Sequence, residues 1–321
     1  MGDLLVCTPL FRAVKKASPG TKIYLLCSPD NAVAVSNNPQ VDGSVVYDKK
    51  RWWNPFHALG VLRQLRSWRP DAAIQLLSNT ASLTSALWGR ASGVRTLIGF
   101  NPEYYGESWG QFLFHHTLSV EPHGLQPEVK TYGRLLQPLG IELQDLALEF
   151  HPSSEDREWV REWLGRLPPG KICVGLQPGG SDDPPGRLWP AIFYADIAKR
   201  IMAFPNAEVI LIGMPGLEES AVRAVQRELP HPPVVFMERK FGRYAALLES
   251  LAVYCGNDGG GLHLAAACGT PTVGIFRAAK GARWNPFPLE KHPFLQSKFP
   301  GDDPTEIEQV WALLHSTLPP H

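Results

Sequence analysis

Apolar positions along the chain gather into short continuous runs, separated by stretches in which they recur with helical spacing. Runs that predict strands cover residues 21–27, 44–48, 71–76, 96–100 and 116–120 in the first half. In the second half they cover 171–176, 208–213, 233–237, 252–256 and 271–276. Helical patterns lie between them, among them 8–17, 82–89, 191–202 and 241–250. Thr8 and Pro9 offer a capping side chain and a proline for a first turn. Short apolar strands alternating with helices predict parallel sheets joined by crossover helices.

The rhythm breaks at residues 151–170. There Pro152, Ser153, Ser154, Pro168, Pro169 and Gly170 surround a short polar helix predicted over 156–165. Beyond it the alternation restarts. The pattern predicts an α/β protein of two doubly wound, Rossmann-like domains facing across a cleft, residues 1–152 and 153–303. A closing helix over 305–318, within the segment 304–321, is expected to pack back across the domains. In doubly wound sheets ligands bind beyond the carboxyl ends of the strands.

Composition acts mainly by exclusion. Lys and Arg number 31, as do Asp and Glu, so the net charge is zero and a general nucleic-acid binder is disfavoured. No apolar run approaches the roughly 18 residues of a membrane-spanning helix, and the first residues lack the basic and long apolar regions of a signal peptide. The five cysteines are scattered without a C-x-x-C spacing. They read as reduced core thiols of a cytosolic protein, with neither a metal site nor a disulfide framework.

Candidate chemistry concentrates at Gly256-Asn257-Asp258-Gly259-Gly260-Gly261-Leu262-His263, which reads as a strand end, a polar turn and the glycine-rich start of a small-residue helix. Such a start suits a phosphate, and Asp258 and His263 flank it. A second glycine loop, Gln177-Pro178-Gly179-Gly180-Ser181, follows the first strand of the second half, with Arg187 beyond it. The two loops could clamp a pyrophosphate through Gly179, Ser181 and Arg187, although Arg187 also reads as a solvated surface residue. Glu218, after the strand 208–213, reads either as an acceptor for a ribose or as a helix-starting acid.

These motifs, with Met1-Gly2-Asp3-Leu4-Leu5-Val6-Cys7-Thr8-Pro9-Leu10, Arg187-Leu188-Trp189-Pro190 and Asn257-Asp258-Gly259-Gly260-Gly261-Leu262-His263-Leu264-Ala265-Ala266-Ala267, resemble glycosyltransferase family 9, the ADP-heptose:lipopolysaccharide heptosyltransferases. Asn37-Asn38-Pro39-Gln40-Val41-Asp42 and Trp284-Asn285-Pro286 extend the resemblance along nearly the whole chain. It implies a GT-B fold and an inverting, metal-independent transfer of a sugar, with ADP-heptose the expected donor and no cofactor. The donor would lie in the second domain, on Gly179, Ser181, Arg187, Glu218, Asp258, Gly259, Gly260 and His263, and the acceptor in the first. Asp3 falls on the family's catalytic aspartate, a general base for the attacking hydroxyl. The chain departs from the family at Gly259, where Thr or Ser is usual, and at Arg187, where Lys is common. In that fold Gly2 and Asp3 lie in a loop after a first strand. That strand is expected to be missing here, with the reading frame starting upstream or another segment filling its slot.

Residues 48–70 carry Lys49, Lys50, Arg51, Arg63, Arg66 and Arg69 against one acid, with Trp52, Trp53 and Trp68 interleaved. Phe56, Leu59, Leu62 and Leu65 recur at helical spacing and predict an amphipathic helix with a basic face. That face is either solvated or meets an anionic glycolipid acceptor, through Lys49, Arg51 and Arg63, or the inner membrane surface. Two rivals stand beside a cytoplasmic heptosyltransferase: a family member using another nucleotide sugar, and an inactive nucleotide- or glycan-binding relative. A dinucleotide dehydrogenase is more distant, because no G-x-G-x-x-G follows a strand.

Overall fold

The structure is a computed structural model and describes residues 2–51, 53–77, 80, 82–107, 112–120, 126–180, 185–298 and 300–318. Ser181 and Trp52 lie outside the described residues. The chain divides into two compact units, Asp3–Leu146 and Ala147–His321.

The second unit holds β6 (Ile172–Gln177), β7 (Ala207–Gly213), β8 (Val234–Met237), β9 (Val253–Asn257), β10 (Thr272–Phe276) and β11 (Phe294–Gln296). They form one sheet in the order β11-β10-β9-β6-β7-β8, with every pairing parallel. This is a doubly wound order, reversing between β6 and β9. Val174, Leu176, Val209, Leu211, Val253, Cys255, Val273 and Ile275 are fully enclosed against helices on the sheet's face. Helix Ala191–Met202 follows Pro190 and buries Phe193, Tyr194, Ile197 and Ile201, one stripe at helical spacing. Burying each such side chain contributes on the order of 2 kcal/mol.

The closing helix, Thr305–Thr317, packs on the sheet of the second unit. Val310 and Leu314 are buried in the core of the second unit. Its start is tied in as well: Glu306 accepts the Trp189 indole N–H at 2.9 Å and the Ser297 hydroxyl at 2.8 Å.

In the first unit β1 (Tyr24–Cys27) and β2 (Gly43–Val46) form one parallel pair. β3 (Ala72–Ile74), β4 (Thr96–Phe100) and β5 (His116–Leu118) form a separate parallel sheet. All ten predicted strands are present, several of them shorter than predicted. β11 was not predicted, since three residues inside a loop-rich stretch give no readable period. Gly2 and Asp3, expected in a loop, open helix Gly2–Val6, which buries Leu5 and Val6. The Thr8 hydroxyl bonds the Leu5 carbonyl at 2.7 Å as the chain enters helix Thr8–Ala17.

Asp42 ties that helix to the start of β1. Its carboxylate accepts from Lys15 at 2.6 Å, Lys22 at 2.9 Å and the Ile23 N–H at 2.9 Å. Those three donors hold its carboxyl far below the usual carboxylate range. All five cysteines are free, and burial pushes the Cys27 thiol up to about 11.

A buried histidine makes the second unit acid-sensitive. His292 sits within 3.0 Å of the Thr272 hydroxyl and is 3% exposed. Burial, then the charge of Lys291, lowers its pKa to about 4. The unfolded chain therefore binds a proton that the native state refuses, between about pH 6.5 and 4. Stability is fully present above that window and falls as pH drops through it, by about 3 kcal/mol in all. His292→Asn should flatten this part of the pH dependence in urea melts. A slope unchanged from the parent would remove His292 as its cause.

Candidate functional site

β6 and β9 are hydrogen-bonded neighbours, with Gln177 opposite Gly256. The loops leaving their carboxyl ends therefore emerge together, at the place where the strand order reverses and open parallel sheets form a crevice. Asn257, buried at the end of β9, staples them. Its amide N–H groups donate to the carbonyls of Pro178 (3.0 Å) and Gly179 (3.2 Å). Its side-chain oxygen accepts the Trp189 N–H at 2.9 Å.

A second buried amide lies at the end of β6. Gln177 Oε1 accepts the hydroxyls of Tyr244 and Tyr254, both at 2.6 Å, and Nε2 donates to Glu218 at 2.8 Å. The other Glu218 oxygen accepts the Met214 N–H at 2.8 Å. Burial raises the pKa of Glu218, and the hydrogen bonds from Gln177 and Met214 pull it back down. Burial also raises both tyrosine hydroxyls well above their ordinary value, so they remain donors. Glu218, weighed as a ribose acceptor or a helix-starting acid, is here a buried strut beneath the first loop. Gly179 is required there: a Cβ would lie 2.6 Å from the Glu218 side chain.

The three glycines of the second loop are not equivalent. Gly259 is extended, with φ 169, and a Cβ there would meet nothing closer than the Asn257 carbonyl at 3.9 Å. Gly260 has open space around it. At Gly261 a Cβ would fall 2.1 Å from Gln177 Oε1 and 2.8 Å from the Tyr254 hydroxyl. Only the third glycine is imposed by packing. No side chain caps helix Gly260–Ala267, so its first N–H groups and the positive end of its dipole are presented together.

Arg187 and Asp258 stand at this rim and pair with each other at 2.5 Å, with side chains 25% and 12% exposed. His263 is buried in the first turns of the helix. The second unit thus gathers Gly179, Arg187, Glu218, Asp258, Gly259, Gly260 and His263 at one end of its sheet. Asp3 belongs to the first unit, exposed in the first turn of Gly2–Val6. Lys49 and Arg51 form a one-turn helix, Lys49–Arg51, and Arg63 lies on helix Pro55–Ser67; all three are exposed. Among the described residues no group of three His, Cys, Asp or Glu is placed to hold a metal ion.

Sequence reasoning passed over Asn257 and Gln177 as functional residues. Each is an amide closing an apolar strand, and a polar side chain at the end of a buried strand was the available signal. The helix at 55–67 also differs from its predicted face. Val61 and Leu65 are buried while Phe56 and Leu59 point to solvent, because the inward row is built from 57, 58, 61, 62 and 65.

The family model for glycosyltransferase family 9 (heptosyltransferase) matches residues 59–298. Lipopolysaccharide heptosyltransferase 3 of Escherichia coli is 25% identical over 297 residues, 89% of this chain and 83% of that protein. A family 9 glycosyl transferase from Veillonella parvula has a similar structure, with a TM-score of 0.81 at 17% identity, covering 99% of this chain and 94% of its own. The E. coli ADP-heptose lps heptosyltransferase II gives 0.75 at 20% identity, over 98% and 96%.

The inequality of the glycines is directly testable. Gly261→Ala should cost about 1–3 kcal/mol by overpacking Gln177 and Tyr254. Gly260→Ala should be neutral or stabilising by up to about 1 kcal/mol, since it only removes backbone freedom. Equal urea midpoints for the two variants would contradict the contact with Gln177.

Proposed function

The chain belongs to glycosyltransferase family 9, and from that premise we propose that it moves a heptose, or a similar sugar, from a nucleoside diphosphate to a lipopolysaccharide-core or related anionic glycan. The observation that carries the donor half is the uncapped start of helix Gly260–Ala267, stapled by Asn257 to the loop after β6. Aligned N–H donors at a strand-order reversal suit a diphosphate. The relatives' names point to ADP-heptose as the first donor to try.

In this reading the Ala147–His321 unit takes the donor and the Asp3–Leu146 unit the acceptor. The acceptor hydroxyl attacks the anomeric carbon from the face opposite the diphosphate, and the anomeric bond to phosphate breaks as the new one forms. Configuration inverts. Asp3 removes the hydroxyl proton, as a solvent-facing carboxylate can. Charge gathering on the departing diphosphate is met by the helix N–H groups and by Arg187. The chain has no Asp-x-Asp pair for a divalent ion, so the cationic role falls to Arg187. Among the described residues no helix is long and apolar enough to cross a membrane. The proposed setting is the cytoplasm, at the inner face of the membrane.

A second reading, a nucleotide binder without turnover, draws on Gly259, which carries no hydroxyl for the phosphates. The site leaves room for one. Gly259→Ser should supply a hydroxyl donor to the phosphates and tighten donor binding several-fold, worth about 1 kcal/mol.

Nucleotide release from ADP-heptose, compared with UDP- and GDP-sugars in the presence of candidate acceptors, tests the reading. Chelator should leave the rate intact; its abolition and rescue by magnesium would overturn metal independence. Asp3→Asn should lower turnover ~100-fold or more with donor affinity nearly unchanged. A parental rate in that variant would return Asp3 to a structural part.

A further inference from the structure

Exposed apolar side chains are unevenly shared between the units. Among the described residues fourteen large ones are exposed, and eleven belong to Asp3–Leu146. Three of these fall in one short stretch: Trp53 is 68% exposed, Phe56 83% and Leu59 43%. Apolar clusters of this kind on a protein surface mark places of interaction.

The stretch is held in place. Asn54 caps helix Pro55–Ser67 by accepting the N–H groups of Phe56 (3.0 Å) and His57 (3.2 Å). His57 accepts the Asp48 N–H at 3.2 Å and stacks on Tyr47. At the other end Arg66 donates to the Ala91 carbonyl at 2.9 Å. Phe56 therefore stands in water on an anchored helix end.

Basic residues flank it along the chain. Lys49, Lys50 and Arg51 precede the helix and Arg63 lies on it, all exposed. None of the four forms an ion pair among the described residues. Asp48 is the one acid between 48 and 70, in a chain whose net charge is zero. The local excess is thus a feature of this element and not of the whole protein.

We infer that residues 48–51 and 53–67 are an interfacial docking surface for a bilayer containing anionic lipid. Trp53, Phe56 and Leu59 enter the boundary between headgroups and acyl chains, and the cations lie over the lipid phosphates. Amphipathic aromatic rings are suited to that depth, and long basic side chains keep their heads at the charged plane. Solvated cations without fixed partners match a diffuse negative surface better than the specific counter-charges of a protein interface. The inference does not depend on the sugar transferred. It deepens the proposed function by placing the acceptor-side unit where a lipid-borne glycan would be found.

The test uses the full chain with neither donor nor acceptor, so it fails or succeeds apart from the glycosyltransferase reading. Co-sedimentation with vesicles of phosphatidylethanolamine and phosphatidylglycerol should retain the protein, phosphatidylcholine vesicles should not, and high salt should release it. Phe56→Ser with Leu59→Ser should weaken binding ~10-fold or more, Phe56→Trp should preserve it, and Lys50→Gln should weaken it ~5-fold at low salt. All should melt as the parent does, because the side chains are exposed. Equal retention by both vesicle types, or parental binding by the double variant, would overturn the inference. So would a dimer in sedimentation equilibrium that the double variant abolishes, accompanied by no vesicle binding.

Discussion

The architecture of the second unit depends on two buried amides that must find partners at the ends of adjacent strands. Asn257 commits both its donors to the Pro178 and Gly179 carbonyls and its acceptor to Trp189. Removing that side chain leaves those groups unpaired, at roughly 1–3 kcal/mol for each buried one. The consequences extend past the loop. Trp189, seated by Asn257, passes its indole N–H to Glu306, and Glu306 also receives the Lys298 N–H at 2.9 Å. One chain of contacts therefore joins the glycine loops to the start of helix Thr305–Thr317. Helix and loops are positioned by the same satisfied network, which is how a fully paired polar cluster specifies a single arrangement.

Gln177 does the corresponding work one strand away. With Tyr244, Tyr254 and Glu218 converging on it, it fills the space beneath Gly261 and leaves no room for a Cβ. The glycine is thus a consequence of the amide beneath it. A glycine loop read only as a glycine run hides this causal order.

Much of the architecture was legible in the sequence, because the sheet of the second unit is parallel and covered. Its strands are continuous apolar runs, and β9 and β10 are buried at every residue. The two glycine loops were legible for the same reason, as polar interruptions after such runs. β11 was not, being three residues long. Gly2 and Asp3 were placed in a loop by resemblance, whereas Leu5 and Val6 find burial in a helical turn. Asn257 and Gln177 were visible as letters but not as roles. A side chain's partners are fixed by register, here Gln177 opposite Gly256, and register is not written in any local window. The misread face of helix Pro55–Ser67 has a similar cause. Two apolar rows compete there, and only packing selects the inward one.

The Arg187–Asp258 pair is best understood as preorganisation. A free arginine side chain carries about 2 kcal/mol of rotamer entropy, much of which an incoming anion would have to remove. Here the guanidinium is already held at 2.5 Å by a carboxylate that is itself largely shielded beside the uncapped helix start. The pair is nearly neutral as a unit, so the unliganded rim does not concentrate cationic repulsion. The helix dipole supplies the standing positive field, roughly half a charge. A diphosphate would then meet N–H donors fixed by the sheet and a cation fixed by Asp258. It would also bring negative charge near that carboxylate, so Arg187 must bridge both anions for binding to gain. Guanidinium, with five donors in a planar fork, can bridge in this way, and an ammonium held by one carboxylate does so less well. That gives a physical reason for arginine at 187 in a chain whose position 259 offers no hydroxyl.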